Sequence, residues 1–182
     1  MNNSPTIHVG YETISELPKE QHVQPMLSLN KTKEPADLVA WLGNEQGLLS
    51  MKLDGLSIIL TYENGELVKA LTRGNGEIGE VITNNAKTFV NIPGRIQYTG
   101  TLIVRGEALI RYSDFEELNK QENVEEQYKN PRNLCSGSVR QLNNQITAER
   151  NVRFFAFALV SAQDVDMHNS REFQMEWLRT QG

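Results

Sequence analysis

The chain has 182 residues, 38% of them hydrophobic and 23% charged, with a formal net charge of -5. That composition fits a folded soluble domain and holds no apolar run of the roughly 18–20 residues a membrane helix needs. It also denies the chain a general basic coat for nucleic acid, though not a local basic groove. A single cysteine, Cys135, excludes an internal disulfide framework and a cysteine-built zinc site, and points to the reducing cytosol.

Residues 1–31 read as an extended lead-in, because Pro5, Pro18 and Pro25 break any helix. Within it, Met26-Leu27-Ser28-Leu29 is a short apolar cluster. Pro35 to Leu42 predicts a short helix: proline suits the first turn, Leu38, Val39 and Leu42 can share a face, and Gly43 is a stop signal. Leu48 to Lys52, Leu56 to Tyr62 and Leu67 to Thr72 predict strands. Asn64-Gly65, which tolerates positive φ, closes a hairpin between the last two. Arg73 to Glu80 reads as a flexible polar loop and Val81 to Phe89 as a short helix. Leu102 to Ile110 predicts a strand that carries Arg105 and Glu107 on one face. Ser113-Asp114-Phe115-Glu116 has the spacing of a capping box, with a helix running to Gln121. Asn130 to Leu142 holds a loop and a short helix. Val152 to Val160 predicts a buried strand with Phe154 and Phe155 in the core. Ser170 to Gln181 predicts a last helix with Phe173, Trp177 and Leu178 inward. The expected class is α+β, mostly antiparallel sheets with short surrounding helices. Cys135 reads as a small buried residue. His8, His22 and His168 have no spacing to a ligand partner and receive no role.

The chemistry centres on Lys52-Leu53-Asp54-Gly55. A lysine at a strand end can attack an electrophilic phosphorus or carbonyl once its amine is deprotonated, and a glycine beside it lets backbone or ligand approach closely. Alone, such a motif is also an ordinary surface turn.

Other segments stand around it in order: Met26-Leu27-Ser28-Leu29, Thr72-Arg73-Gly74-Asn75-Gly76-Glu77-Ile78-Gly79-Glu80, Val104-Arg105-Gly106-Glu107, Asn130-Pro131-Arg132-Asn133, Val139-Arg140-Gln141-Leu142, Ile146-Thr147-Ala148 and Phe154-Phe155-Ala156-Phe157. In this order and spacing the set resembles the adenylation (nucleotidyltransferase) domain of bacterial NAD-dependent DNA ligases, from Ser4 to Phe157 and more weakly to the end. The resemblance implies an incomplete nucleotidyltransferase (ATP-grasp-like ligase) fold over residues 32–182, preceded by the lead-in. It implies a monomer that acts in DNA replication and repair. The reaction it implies has three steps. Lys52 attacks the adenylyl phosphorus of NAD, AMP passes from lysyl-AMP to the 5′-phosphate of a nick in duplex DNA, and the 3′-hydroxyl then displaces AMP.

The resemblance also assigns roles. Lys52 is the nucleophile, with Asp54, Arg73 and Glu107 as further catalytic residues. Ser28, Leu29, Ser50, Lys52, Leu53, Arg73, Glu107 and Phe157 border the nucleotide, Phe157 by stacking on adenine. Arg132 and Arg140 read DNA phosphates, and Lys129, Arg150 and Arg153 can widen that patch. Mg²⁺ is implied near Asp54 and Glu107. The bland alternatives are surface arginines at 132 and 140, Arg105 as a structural ion-pair partner of Glu107, a core role for Phe157, and loop or cap roles for Asn133, Ser136, Gly137 and Ser138.

The sequence departs from the family pattern at Ser50, where glutamate is usual, at Asn75 and Val81, where aspartate is common, and at Leu134-Cys135-Ser136, which replaces alanines. Two expected features find no match, a nicotinamide-side helical domain and a later lysine-bearing strand. The resemblance therefore implies a piece of a larger ligase, inactive by itself with NAD. Two other functions stay open: a non-catalytic nucleotide- or nick-binding remnant, and an ATP-dependent nucleotidyltransferase.

Overall fold

The computed structural model describes residues 16–28, 30–121 and 127–182. Leu29, His8 and the first half of the lead-in lie outside them. In chain order the elements are β1 (Lys19–Gln21), α1 (Pro35–Leu42), β2 (Leu56–Glu63), β3 (Glu66–Thr72), β4 (Ile78–Glu80), α2 (Thr83–Ala86), β5 (Leu102–Leu109), α3 (Tyr112–Gln121), α4 (Pro131–Val139), α5 (Asn144–Glu149), β6 (Arg153–Ala162) and α6 (Arg171–Arg179). The class is α+β. A four-stranded antiparallel sheet runs β3-β2-β5-β6, and β1 pairs antiparallel with β4 in a second, two-stranded sheet. The described strands form no closed barrel.

Period-two alternation divides the main sheet into two unlike faces. Ile58, Leu60 and Tyr62 of β2 pair with Gly106, Val104 and Leu102 of β5. They are buried in one cluster with Ile82, Ala86, Phe89, Ile92, Ile96, Leu134, Cys135, Val139 and Val152. On the opposite face the register sets Ser57 against Glu107 and Ile59 against Arg105. The β2–β3 hairpin turns at Asn64 and Gly65, both at positive φ, as Asn-Gly predicts.

Several expectations need correction. Leu48 to Lys52 is not a strand: no described strand pairs with it, and Leu49 and Met51 stand 97% and 87% exposed. Strand propensity needs a neighbour to pack against, and this segment has none here. α1 forms where predicted, yet buries none of its residues. Arg73 to Glu80 is no loose loop. Asn75 Oδ1 accepts from the N–H groups of Glu77 and Ile78, at 2.9 and 2.8 Å. The chain then returns as β4 against β1. Any Cβ on Gly74, at φ +54°, would lie 1.8 Å from the Ile78 carbonyl oxygen, so only glycine fits.

The helix expected over Val81 to Phe89 shrinks to α2. α3 begins at Tyr112, one residue ahead of the expected Ser113 cap, so Ser113 lies inside the first turn. α4 is a full helix that takes in Asn133, Ser136, Gly137 and Ser138. Its cap is Asn130, whose side chain accepts from Asn133 N–H at 2.8 Å. The sequence does not predict α5, because six residues are too few to show a helical period. β6 is a half-exposed edge strand instead of a buried one, and Phe155 is 43% exposed. In α6, capped by Ser170, Trp177 and Leu178 pack on the core, whereas Phe173 is exposed beside His168.

Candidate functional site

The lysine motif is fixed to the polar face of the sheet through its glycine. Gly55 is buried where the chain enters β2, and its N–H donates to Glu107 Oε1 at 3.1 Å. A Cβ there would stand 2.0 Å from the Ala108 carbonyl oxygen, so a side chain would push the segment off β5. Ser57 Oγ donates to Glu107 Oε2 at 2.7 Å. Both carboxylate oxygens of Glu107 are thus satisfied by the first residues of β2, which fixes the carboxylate and the chain that follows Lys52 in one geometry. Lys52 itself is exposed, and among the described residues it has no hydrogen-bond or ion-pair partner. Ser50 and Leu53 are exposed beside it.

Arg73 follows β3 on the same face. Its N–H donates to Ser57 O at 2.9 Å. Its guanidinium donates to Met26 O at 3.2 Å and to Ser28 Oγ at 2.7 Å. Arg105 donates to Leu27 O at 3.2 Å and lies over the Phe157 ring, 5.6 Å from its centroid. Burial lowers the Arg105 pKa from its usual value, and the neighbouring Arg73 charge lowers it further while Glu107 opposes both. Arg73, Arg105, Glu107, Phe157 and the Met26–Ser28 segment therefore form one polar, cationic platform bordered by an aromatic ring. Arg105 makes no hydrogen bond to Glu107, against the alternative of an ion pair, because Gly55 and Ser57 occupy that carboxylate.

Asp54 turns to a different partner. Arg132, at the start of α4, donates to its Oδ1 at 3.1 Å, and both side chains are exposed. Arg140, at the end of α4, is more enclosed. Its Nε lies 3.0 and 2.7 Å from the two oxygens of Glu80. It also bonds Ser136, and Glu80 in turn accepts from Thr72 Oγ1 at 2.9 Å. Cys135 is fully buried, and its thiol pKa is pushed up to about 12, first by burial and then by the Glu107 charge. It is an inert packing residue, as expected.

Among the described residues no three His, Cys, Asp or Glu side chains gather as a metal cage. Asp54 and Glu107 are each engaged already, so the residues present do not fit a protein-built Mg²⁺ site. An apolar cleft of about 130 Å³, bounded by Tyr62, Pro93, Phe154 and Leu178, opens on the opposite face and takes no part in this chemistry. Four contributors escape the sequence: Ser57, Glu80 and the carbonyls of Met26 and Leu27. Their partners are distant in the chain, and only the tertiary fold brings them together. No described helix is long and apolar enough to cross a membrane.

A family model for the NAD-dependent DNA ligase adenylation domain matches residues 14–182. A DNA ligase of Ruminiclostridium cellulolyticum is 63% identical over 100% of this chain, which spans 28% of that relative. A DNA ligase of Lachnoclostridium phytofermentans is 63% identical over 98% of the chain, again 28% of the relative. One from Helicobacter pylori P12 is 44% identical over 86%, or 25% of its length. The chain thus spans about a quarter of the length of the relatives it matches. With the ordered motifs and the α+β fold, these matches place the chain in the family of NAD-dependent DNA ligase adenylation domains.

Proposed function

We propose that this chain is the part of an NAD-dependent DNA ligase that takes AMP from NAD and passes it to a nick. The observation that carries the reading is the double anchorage of Glu107 by Gly55 N–H and Ser57 Oγ, at 3.1 and 2.7 Å. It ties the Lys52 segment to the platform of Arg73, Arg105 and Phe157. The Lys52 amine, as free base, forms a bond to the adenylyl phosphorus of NAD, and the bond to nicotinamide mononucleotide breaks. Charge builds on the nonbridging oxygens in that step, and Arg73, on the same face of the sheet, is the candidate to stabilise it. Phe157 offers a face for adenine, and Glu107 an acceptor for the ribose hydroxyls. Leu27 and Ser28 form the rim, with Leu29 and Ser50 assigned there by the family pattern alone.

For the nucleic-acid steps, Arg132 exchanges Asp54 for a backbone phosphate of nicked duplex DNA. Arg140, already set by Glu80, offers its remaining N–H groups to the 5′-phosphate. Mg²⁺, if used, is held mainly by phosphate oxygens and water, since hard divalent ions of this size keep much of their hydration. With nicked DNA as substrate, the setting is bacterial replication and repair in the cytoplasm.

The test is a hybrid ligase in which this chain replaces the matching stretch of the Ruminiclostridium cellulolyticum relative. Intact mass after mixing with NAD should rise by one adenylyl group, and nicked DNA should then discharge it. Labelling by ATP in place of NAD would move the protein to the ATP-dependent class. Absence of labelling by either would leave a binding module.

A further inference from the structure

His22 has no part in the chemistry above, yet its ring is buried beside it. The residue is 6% exposed. Its Nε2 lies 3.1 Å from the main-chain oxygen of Arg73. Its own N–H donates to Glu77 O at 2.8 Å. The other ring nitrogen, Nδ1, is buried with no partner. A carbonyl oxygen can only accept, so Nε2 carries a proton and donates to it. Burying an unpartnered ring nitrogen costs stability, and a leucine or phenylalanine would avoid that cost. A Cβ on Gly79 would stand 2.0 Å from Thr72 O and 3.0 Å from the ring Cε1 and Nε2, so the glycine leaves room for both the strand and the ring.

The ring meets a residue fixed at every other point. Arg73 N–H is bonded to Ser57 O, its carbonyl also accepts from Gly76 N–H at 3.0 Å, and its guanidinium is bonded to Met26 and Ser28. His22 and Met26 belong to the strand-like lead-in that clasps the same hairpin, with Met26 N–H on Gly76 O at 2.7 Å. The His22 Nε2–H is the second donor on the Arg73 carbonyl, beside Gly76 N–H, and it joins the lead-in to the backbone of the residue whose guanidinium meets Met26 and Ser28.

We propose that His22 is a positioning residue for Arg73, acting through the hydrogen bond from its Nε2–H to the Arg73 carbonyl. That the guanidinium faces a nucleotide rests on the function proposed above. Two replacements separate the donor from the packing. His22→Phe keeps a ring in the space and loses the donor; His22→Gln can place an N–H near the Nε2 position and loses the ring.

The readouts, on this chain, are the NMR signal and solvent-exchange rate of the Arg73 side-chain Nε–H, and calorimetric titration with AMP. His22→Phe should speed Nε–H exchange by tenfold or more and weaken AMP binding about fivefold, and His22→Gln should restore both to within about twofold. A Phe variant with unchanged Nε–H exchange, or a Gln variant no better than Phe, would reduce His22 to packing and overturn the proposal. If the unaltered chain fails to bind AMP, the nucleotide face falls instead, while the Nε–H signal still decides the role of His22.

Discussion

Gly55→Ala is the most informative single change, because its steric consequence is fixed by backbone atoms. The new Cβ would lie 2.0 Å from Ala108 O, 3.0 Å from Ala108 C and 3.2 Å from Leu109 Cβ. All three belong to the central strand β5, the first two to its backbone, and that strand is paired on both sides and does not give way. The Leu53–Gly55 segment must therefore lift, and the bond from Gly55 N–H to Glu107 is lost. Overpacking costs roughly 1–3 kcal/mol, and a hydrogen bond to a charged group about 1.5–3 kcal/mol. Lifting the segment relieves much of the clash and Glu107 is partly exposed, so the two do not add fully. A loss of about 2–3 kcal/mol is expected, or roughly 4–12 °C in Tm for a chain of this size. Lys52 is carried with the segment, and misplacing a reacting group by about 1 Å costs on the order of 100-fold in rate. Urea titration gives the stability, and the rate of NAD-dependent adenylylation in the hybrid ligase gives the geometry. A variant with wild-type stability and labelling rate would refute the claim that this glycine positions the lysine.

Other expectations follow from the same geometry. Lys52→Arg and Lys52→Ala in the hybrid should both abolish labelling, since arginine stays protonated and cannot attack; mass spectrometry checks this. Arg132→Ala should reduce the slope of log affinity for nicked DNA against log salt by about 0.9, one phosphate contact on duplex DNA. Glu80→Gln should weaken the hold on Arg140 and slow sealing of pre-adenylylated nicks by about tenfold while leaving the labelling rate within twofold, read by single-turnover assays. The Cys135 thiol is raised from 9.0 to about 12 in the folded chain. The folded state therefore retains this proton between those values while the unfolded chain loses it. That contribution is fully present below pH 9 and is lost as pH rises toward 12. Cys135→Ala should show a shallower alkaline fall in urea-measured stability than the unaltered chain over that range.

The hairpin at Asn64-Gly65, the face shared by Arg105 and Glu107, and the last helix opening at Ser170 are legible in the sequence. Each is a local pattern whose cause lies within a few residues. The failures are those where the outcome depended on distant partners. Leu48 to Lys52 has strand composition, but no neighbour pairs with it. β6 has the apolar content of a core strand, yet lies at the edge of the sheet with Phe155 exposed. The 73–80 segment looked loose because glycines dominate it. Those glycines in fact allow a tight return that pairs β4 with a lead-in strand more than fifty residues earlier.

The candidate site divides along the same line. Lys52, Glu107 and Arg73 stand out as residue types, but the order among them does not. Nothing local says that Glu107 is saturated by Gly55 and Ser57, that Asp54 turns to Arg132, or that Arg140 is held by Glu80. Asn75 illustrates the reverse. It departs from the usual family residue, yet its side-chain oxygen still accepts from two backbone N–H groups of the turn, a task for which an amide serves as well as a carboxylate.

Whether Lys52 receives AMP is decided by peptide mapping of the NAD-treated hybrid ligase. A single acid-labile adenylyl group is expected on the peptide that contains Lys52, removed by added nicotinamide mononucleotide or by nicked DNA. An adenylyl group on any other side chain, with Lys52 unmodified, would contradict the assignment.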